Sequence, residues 1–455
     1  MGPTGSRIAM PQFLDAFIEQ ISKKRDSLAQ KMAVGRASGL DADLERLLLE
    51  GWRPLPAHGG PDREVAAVDG SRAIRALTSG AIFYITRAIA VLGRRRFREL
   101  EADAFFSKAK PHEISVFIGR KMEWLELKAA IRAIREGDLS DGAPVLMDGS
   151  LYGRLLHLPR DQPAEGMRGF MLDYFKTLWE LFELCRERRI LLIGVSKESR
   201  SSFLRDHLLG RLLEWELGRL DGLPEEVKVE LRAIFETALQ APSEAFSALR
   251  KLKMAHGGRL EGVERIIREA ASARPDHQLI RRFAKAPGYT APLELGASKP
   301  GSIIMELIGR DPRAYAKRYF KEAILEAEDE GAFIREAIGI LARMPELPSI
   351  VSFHLLPDPR DTPMRVDVPS WACGLSHRIS DFAEIRPAEA DVGGIAALLM
   401  GGYAGLKDYN VWLKRADEEV RLSRDIVDGL YSSALERMLN VTIIHPRGYR
   451  RVKYP

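Results

Sequence analysis

Apolar positions recur at helical spacing in residues 12–34 and 41–51 ("FLDAFIEQI", "LERLLLEGW"), and the breaker-rich "RPLPAHGGPD" follows them. This pattern predicts an N-terminal helical arm over residues 1–60. The pattern then changes to short apolar runs bounded by turn residues. "EVAAVD", "GAIFYITRAIAVLG" and "HEISVFIG" are expected to be three successive strands, an antiparallel meander. A helix is predicted from Arg120 to Glu136, followed by the loop "GDLSDGAP" and the strand "VLMD". "GFMLDYFKTLWELFELCRERR" predicts a further helix and "ILLIGVSK" a buried strand, so helical crossovers add parallel strands to the sheet.

Residues 200–290 carry helical periodicity with dense charge and are expected to form a helical insertion, its charges a solvated face. Strand signals return in "GSIIMELIG", "SIVSFHLLP" and "MRVDVP", and helices are expected from about 388 to 440 before a basic tail, "RGYRRVKYP". The expected fold class is therefore α/β: a mixed sheet flanked by helices, with residues 61–199 and 291–455 contributing to one core around the insertion.

Composition narrows the class without choosing a function. The chain has 455 residues, 45% of them hydrophobic, which is enough to bury a large core. A formal net charge of +5 permits a polyanionic partner without requiring one. Cys185 and Cys373 are the only cysteines and lie far apart in sequence, which leaves no disulfide framework or thiolate zinc site and fits a reducing cytoplasm. No run approaches the ~20 apolar residues of a membrane span, and the first residues lack a secretion-signal pattern, so no membrane association is expected.

Two near copies of one motif carry the chemistry. "VAAVDGSRA" ends a strand in Asp69-Gly70-Ser71, and "VLMDGSL" ends another in Asp148-Gly149-Ser150. A strand-ending Asp-Gly-Ser is most often only a turn, because Asp accepts local backbone hydrogen bonds and Gly tolerates positive φ. Between the two copies, the helical run "ELKAAIRAI" starts at Glu126, with Glu123 one turn earlier as its rival. Carboxylates on a first strand, a following helix and a fourth strand repel one another unless cations neutralise them. Hard oxygen donors suit Mg²⁺ or Mn²⁺, and a pair of such ions suits phosphoryl chemistry. In the ribonuclease H fold the catalytic acids occupy these same three elements, and its first helix begins with a closely similar pattern.

"VAAVDGSRA", "VLMDGSL", "LLIGVSKESR" and the late "YNVWLKRADEEVRLS" together resemble the NurA nuclease family, from about residue 60 to the C-terminus. The resemblance implies a ribonuclease H-like core and a Mn²⁺-dependent deoxyribonuclease, with exonuclease and single-strand endonuclease activity. It further implies a homodimer acting on DNA with the hexameric ATPase HerA in end resection for recombinational repair. By position, Asp69, Glu126 and Asp148 would be catalytic metal ligands, and Lys197 would steady the scissile phosphate. The chain departs from the family in one place. Where many members have Ala-His in the late helical segment it has Asp417, which suits a metal ligand but not a proton donor.

Arg94–Arg96, Arg281–Arg282 and the basic, tyrosine-containing tail are candidate DNA contacts. His445 is expected to be structural. Two other classes compete: a catalytically inactive DNA clamp or motor-regulating scaffold, and an actin-like ATPase, for which no convincing glycine-rich adenosine segment is present.

Overall fold

The fold is described from a computed structural model, which covers residues 13–32, 39–56, 64–197, 199–272, 274–423 and 426–440. The chain forms two compact units, one comprising residues up to Glu50 with Arg200–Lys285, the other Gly51–Ser199 with Ala286 onward. The described elements of the first are all helices. Asp41–Glu50 joins Phe203–Arg219, Glu225–Ala238, Pro242–His256, Glu261–Ala270 and Asp276–Phe283. At its centre Arg205 is buried and donates to the Glu269 carboxylate at 2.8 Å, while the buried Asp276 carboxylate accepts from Arg205 N at 2.9 Å.

The second unit holds an eleven-stranded mixed sheet. Its strands are β1 (Trp52–Arg53), β2 (Ala66–Ala76), β3 (Ile82–Leu92), β4 (Arg95–Phe105), β5 (Pro144–Asp148), β6 (Leu191–Ser196), β7 (Gly288–Thr290), β8 (Leu293–Leu295), β9 (Ile350–Leu356), β10 (Met364–Pro369) and β11 (Ile385–Pro387). They run β1-β7-β9-β10-β6-β5-β2-β3-β4, with β8 between β9 and β11. Among the described residues only β2–β5 and β5–β6 are parallel. The β4-β3-β2-β5-β6 stretch is a meander followed by two helical crossovers, the strand order expected of a ribonuclease H-like core.

Strand alternation assigns the two faces of this core. Ala67, Ile89, Leu146, Ile193 and Val366 share one cluster with Leu399, Leu413 and Ala416, so helices Gly393–Gly401 and Val411–Val420 cover that face. The other face packs against the long Pro111–Glu136 helix, which in turn packs on Phe170–Glu187. Phe105, Phe117 and Phe170 meet edge to face there, with ring centroids 5.6 and 5.8 Å apart.

Two strand expectations fail. "HEISVFIG" is the start of the Pro111–Glu136 helix, with Pro111 in its first turn and Glu113 closing a capping box onto Lys110 N at 2.9 Å. Ile114, Phe117, Ile118, Lys121 and Leu125 are buried at helical spacing, whereas the apparent period-2 alternation covers only a few residues. The third strand is instead the charged β4, whose Arg95, Arg98, Glu101 and Asp103 suit a sheet edge. "GSIIMELIG" lies within helix Lys299–Arg310, where the Ser298 hydroxyl caps Gly301 N and Pro300 sits in the first turn. Its one-sided burial, at Met305 and Ile308, explains an apolar run without a strand.

Candidate active site

The two Asp-Gly-Ser motifs meet because β2 and β5 are parallel neighbours with Val68 opposite Met147. Asp69 and Asp148, each one residue further on, stand side by side at the ends of their strands. Asp69 is 7% exposed, and its Oδ1 accepts from Gly70 N at 2.7 Å. Burial, then the Asp148 and Asp417 charges, push its carboxyl up to about 7, against the lowering effects of that hydrogen bond and of Lys197. Lys197, just past the end of β6, lies 3.3 Å from Asp148 Oδ2.

The glycines of the two motifs serve different purposes. Gly149 has φ +98°, a turn conformation that favours glycine. Gly70 lies in extended β2 on the face opposite Asp69, where a Cβ would collide with the Glu126 carboxylate and come within 2.8 Å of Met122 Cγ. Glu126 thus approaches the strand ends across a residue without a side chain. The serines differ too. Ser71 Oγ accepts from Leu422 N at 3.0 Å, whereas Ser150 Oγ caps the Leu151–Leu155 helix and donates to the buried Asp367 at 2.7 Å.

Glu126 is buried in direct contact with Arg154, whose Nη2 also donates to the Asp148 carbonyl at 3.0 Å. Burial pushes its carboxyl up to about 8; Arg154 opposes the rise, and Glu123, Asp69 and Asp148 add to it. Glu123, the rival, is engaged elsewhere. Its Oε2 is 2.7 Å from His157 Nε2 and accepts from the Tyr174 hydroxyl at 3.1 Å. Burial works to raise its pKa, but His157, Arg154 and Tyr174 prevail and hold it at about 2.

Asp417 comes from helix Val411–Val420, and its charge acts on Asp69. Asn410 caps that helix through Leu413 N at 3.1 Å. Arg87 grips its far end, donating to the carbonyls of Val420 at 2.6 Å and Arg421 at 2.7 Å. Among the described residues no three His, Cys, Asp or Glu side chains are grouped closely enough, as placed, to hold a metal ion. What converges is the Asp69–Asp148 pair, with Asp417 on one side of the sheet and Glu126 on the other.

Two residues of this site were missed by the sequence reading. Arg154 is buried, with Nε and Nη1 unpartnered. Tyr409 lies under the Lys197 ammonium, 4.1 Å from ring centroid to Nζ, and its buried hydroxyl has no hydrogen-bond partner. Burial, then Asp148, Asp69 and Asp417, push that phenol far above its usual value. The only sequence signal for either was position: Arg154 one turn past a motif, Tyr409 just before the Asp417 helix. Of the basic candidates, Arg96 pairs with Glu419 at 2.5 Å and Arg95 with Asp138 at 3.4 Å. In the helical unit, Arg282 contacts Asp41. His445 and the basic tail lie outside the described residues.

A NurA domain model matches residues 63–422. The chain belongs to the NurA family. The Sulfolobus solfataricus NurA nuclease has the same fold, with TM-score 0.51 and 15% identity over 95% of this chain and 98% of that one. A NurA bound to dAMP and manganese is also similar, with TM-score 0.42 and 15% identity over 96% and 98% of the two chains. A NurA with manganese gives 0.41 and 14% over 94% and 98%. Among curated proteins none matches.

Proposed function

We propose that this NurA-family chain is a metal-dependent deoxyribonuclease, hydrolysing phosphodiester bonds with divalent cations at Asp69 and Asp148. The observation that carries the reading is the two-aspartate strand end. Two buried or half-buried carboxylates stand side by side with Asp417 nearby, and burial, with the Asp148 and Asp417 charges adding to it, raises Asp69 to about 7 against the opposing charge of Lys197. A hard cation with oxygen preference relieves that repulsion, and this donor set fits Mn²⁺ or Mg²⁺. Glu126 and Asp417 complete the ligand set from the two faces of the sheet. Bound there, a pair of such ions supplies an activated water and stabilises the leaving oxygen.

The chain's own residues have separable tasks in this reading. Arg154 orients Glu126 and neutralises it. Lys197, held between Asp148 and the Tyr409 ring, presents a compact positive charge to a non-bridging phosphate oxygen. Gly70 leaves the space through which Glu126 reaches the centre. Family membership supports the wider proposal: Mn²⁺ as the working ion, a homodimer, and a HerA-type hexameric ATPase delivering DNA ends for resection.

The test is cleavage of end-labelled single- and double-stranded DNA with Mn²⁺, Mg²⁺ or EDTA, wild type beside Asp148→Ala. Metal-dependent products that vanish in the variant are expected. DNA binding without products under any metal would replace the reading with an inactive clamp.

A further inference from the structure

A second feature lies along the same helix. Three rungs join the Pro111–Glu136 helix to the segment that leaves the second Asp-Gly-Ser. Glu126 meets Arg154, Glu123 meets His157 at 2.7 Å, and Arg120 Nη1 donates to Gln162 Oε1 at 3.0 Å. Six residues of helix separate Glu126 from Arg120, roughly 9 Å along the axis. Beyond the last rung opens a cavity of 480 Å³ lined by Arg120, Arg160, Arg318, His112 and Tyr319 among others.

The acids around this cavity are committed to structure. Glu113 closes the capping box on Lys110 N. Asp161 accepts from Glu322 N at 2.9 Å and Ala323 N at 3.0 Å, capping a helix start. Arg168 is neutralised by Glu326 at 2.6 Å. The remaining arginines are not so matched. Among the described residues Arg160 and Arg318 form no ion pair, and Arg120 Nε is buried without a partner. Burial and then the Arg160 charge hold the Arg120 guanidinium below its usual pKa, and the Glu123 charge only partly offsets them. Tyr319, stacked on Tyr315 with centroids 4.3 Å apart, adds a supported aromatic surface. Guanidinium groups beside a braced aromatic ring suit phosphate oxygens and a base face.

We infer that the Arg120–Arg160–Arg318 cavity is a phosphate-binding subsite for the DNA strand, set one ladder's length from the Asp69–Asp148 centre. It rests on the nuclease reading for its substrate but not on catalysis. The ligand chemistry is a phosphate monoanion or diester oxygen with an adjoining base.

Binding of a fluorescent single-stranded oligonucleotide in EDTA tests it, comparing the wild-type chain with Arg160→Glu, Arg318→Glu, and Lys317→Glu as an exposed control outside the cavity. The two arginine reversals are expected to weaken binding at least tenfold together. Their combination should reduce the slope of log K against log salt by ~1.4, two contacts at ~0.7 each for single strands. Lys317→Glu should leave both unchanged. Equal losses in all three variants, or in none, would overturn the subsite even if the chain cleaves DNA. Loss confined to the cavity variants in a chain that never cleaves would leave the subsite standing and remove the nuclease reading. Cavity-dependent binding of dAMP without the oligonucleotide would overturn the strand assignment in favour of a free-nucleotide site.

Discussion

Replacing Gly70 with alanine asks whether the Asp-Gly-Ser glycine exists for Glu126. Gly70 sits in β2 with ordinary extended geometry, so alanine costs no backbone strain and reduces unfolded-chain entropy, a gain of ~0.5–1 kcal/mol. The added methyl, however, lands on the Glu126 carboxylate and within 2.8 Å of Met122 Cγ. Met122 can turn aside. Glu126 cannot do so without leaving Arg154. Overpacking of this kind costs ~1–3 kcal/mol, and disturbing a buried ion pair adds to it, so a net loss of ~1–3 kcal/mol is expected. A double-mutant cycle with Glu126→Ala isolates the contact, because the methyl then has room. The measurement is urea unfolding of the four proteins, expected to show a coupling of at least ~1 kcal/mol. Additive effects would refute the reasoning, since Gly70 would then be required by the strand and not by the carboxylate.

Metal-free stability should fall as pH rises from about 4 to 8, because Asp69 and Glu126, raised to about 7 and about 8 in the folded chain, hold their protons there while the unfolded carboxyls have lost theirs. Glu123, held at about 2, contributes stability that is lost only below about pH 4.5 and leaves that window untouched. Thermal melts should therefore show a descending limb that becomes shallower in Asp69→Asn and flattens only when Glu126→Gln is added, and Mn²⁺ should raise the melting temperature more at pH 8 than at pH 5; a pH-independent shift would count against the site. Glu123→Gln should lower stability by ~1–3 kcal/mol with Mn²⁺ affinity, measured calorimetrically, nearly unchanged, while Glu126→Gln should weaken Mn²⁺ binding; the reverse pattern would exchange their roles. Tyr409→Phe should keep Lys197 in place and cost little stability, because the lost hydroxyl has no partner, whereas Tyr409→Ala should cost ~3 kcal/mol and lower the cleavage rate; equal effects would mean the hydroxyl matters.

The parts of the site that could be read from the sequence are those held by local pattern. Asp69 and Asp148 follow short apolar runs and each precedes Gly-Ser, so both strand ends were visible, and the β2–β5 pairing follows from the crossover order. Glu126 was preferred to Glu123 on position alone, because helical spacing places both near one face; in the structure His157 and Tyr174 engage Glu123. Arg154 and Tyr409 were invisible for a related reason: what marks them is buried polar atoms without hydrogen-bond partners, a property of the surrounding chain. In the fold, "HEISVFIG" misled because its first residues alternate, and the decisive signals were Pro111 and the Glu113 cap. β4 was overlooked because edge strands are charged and carry no apolar run.

The C-terminal end of the Val411–Val420 helix is clamped through its main chain. Arg87 holds the carbonyls of Val420 and Arg421, and Ser71 holds the amide of Leu422; all three are main-chain atoms. Such clamps are indifferent to which side chains the helix displays. In the proposed site, position 417 is therefore an exchangeable contact on a fixed mount, where aspartate or histidine would alter the chemistry offered to the centre while the scaffold stays in register. Evolution, or an engineer, can retune this enzyme at one residue without rebuilding the wall that carries it.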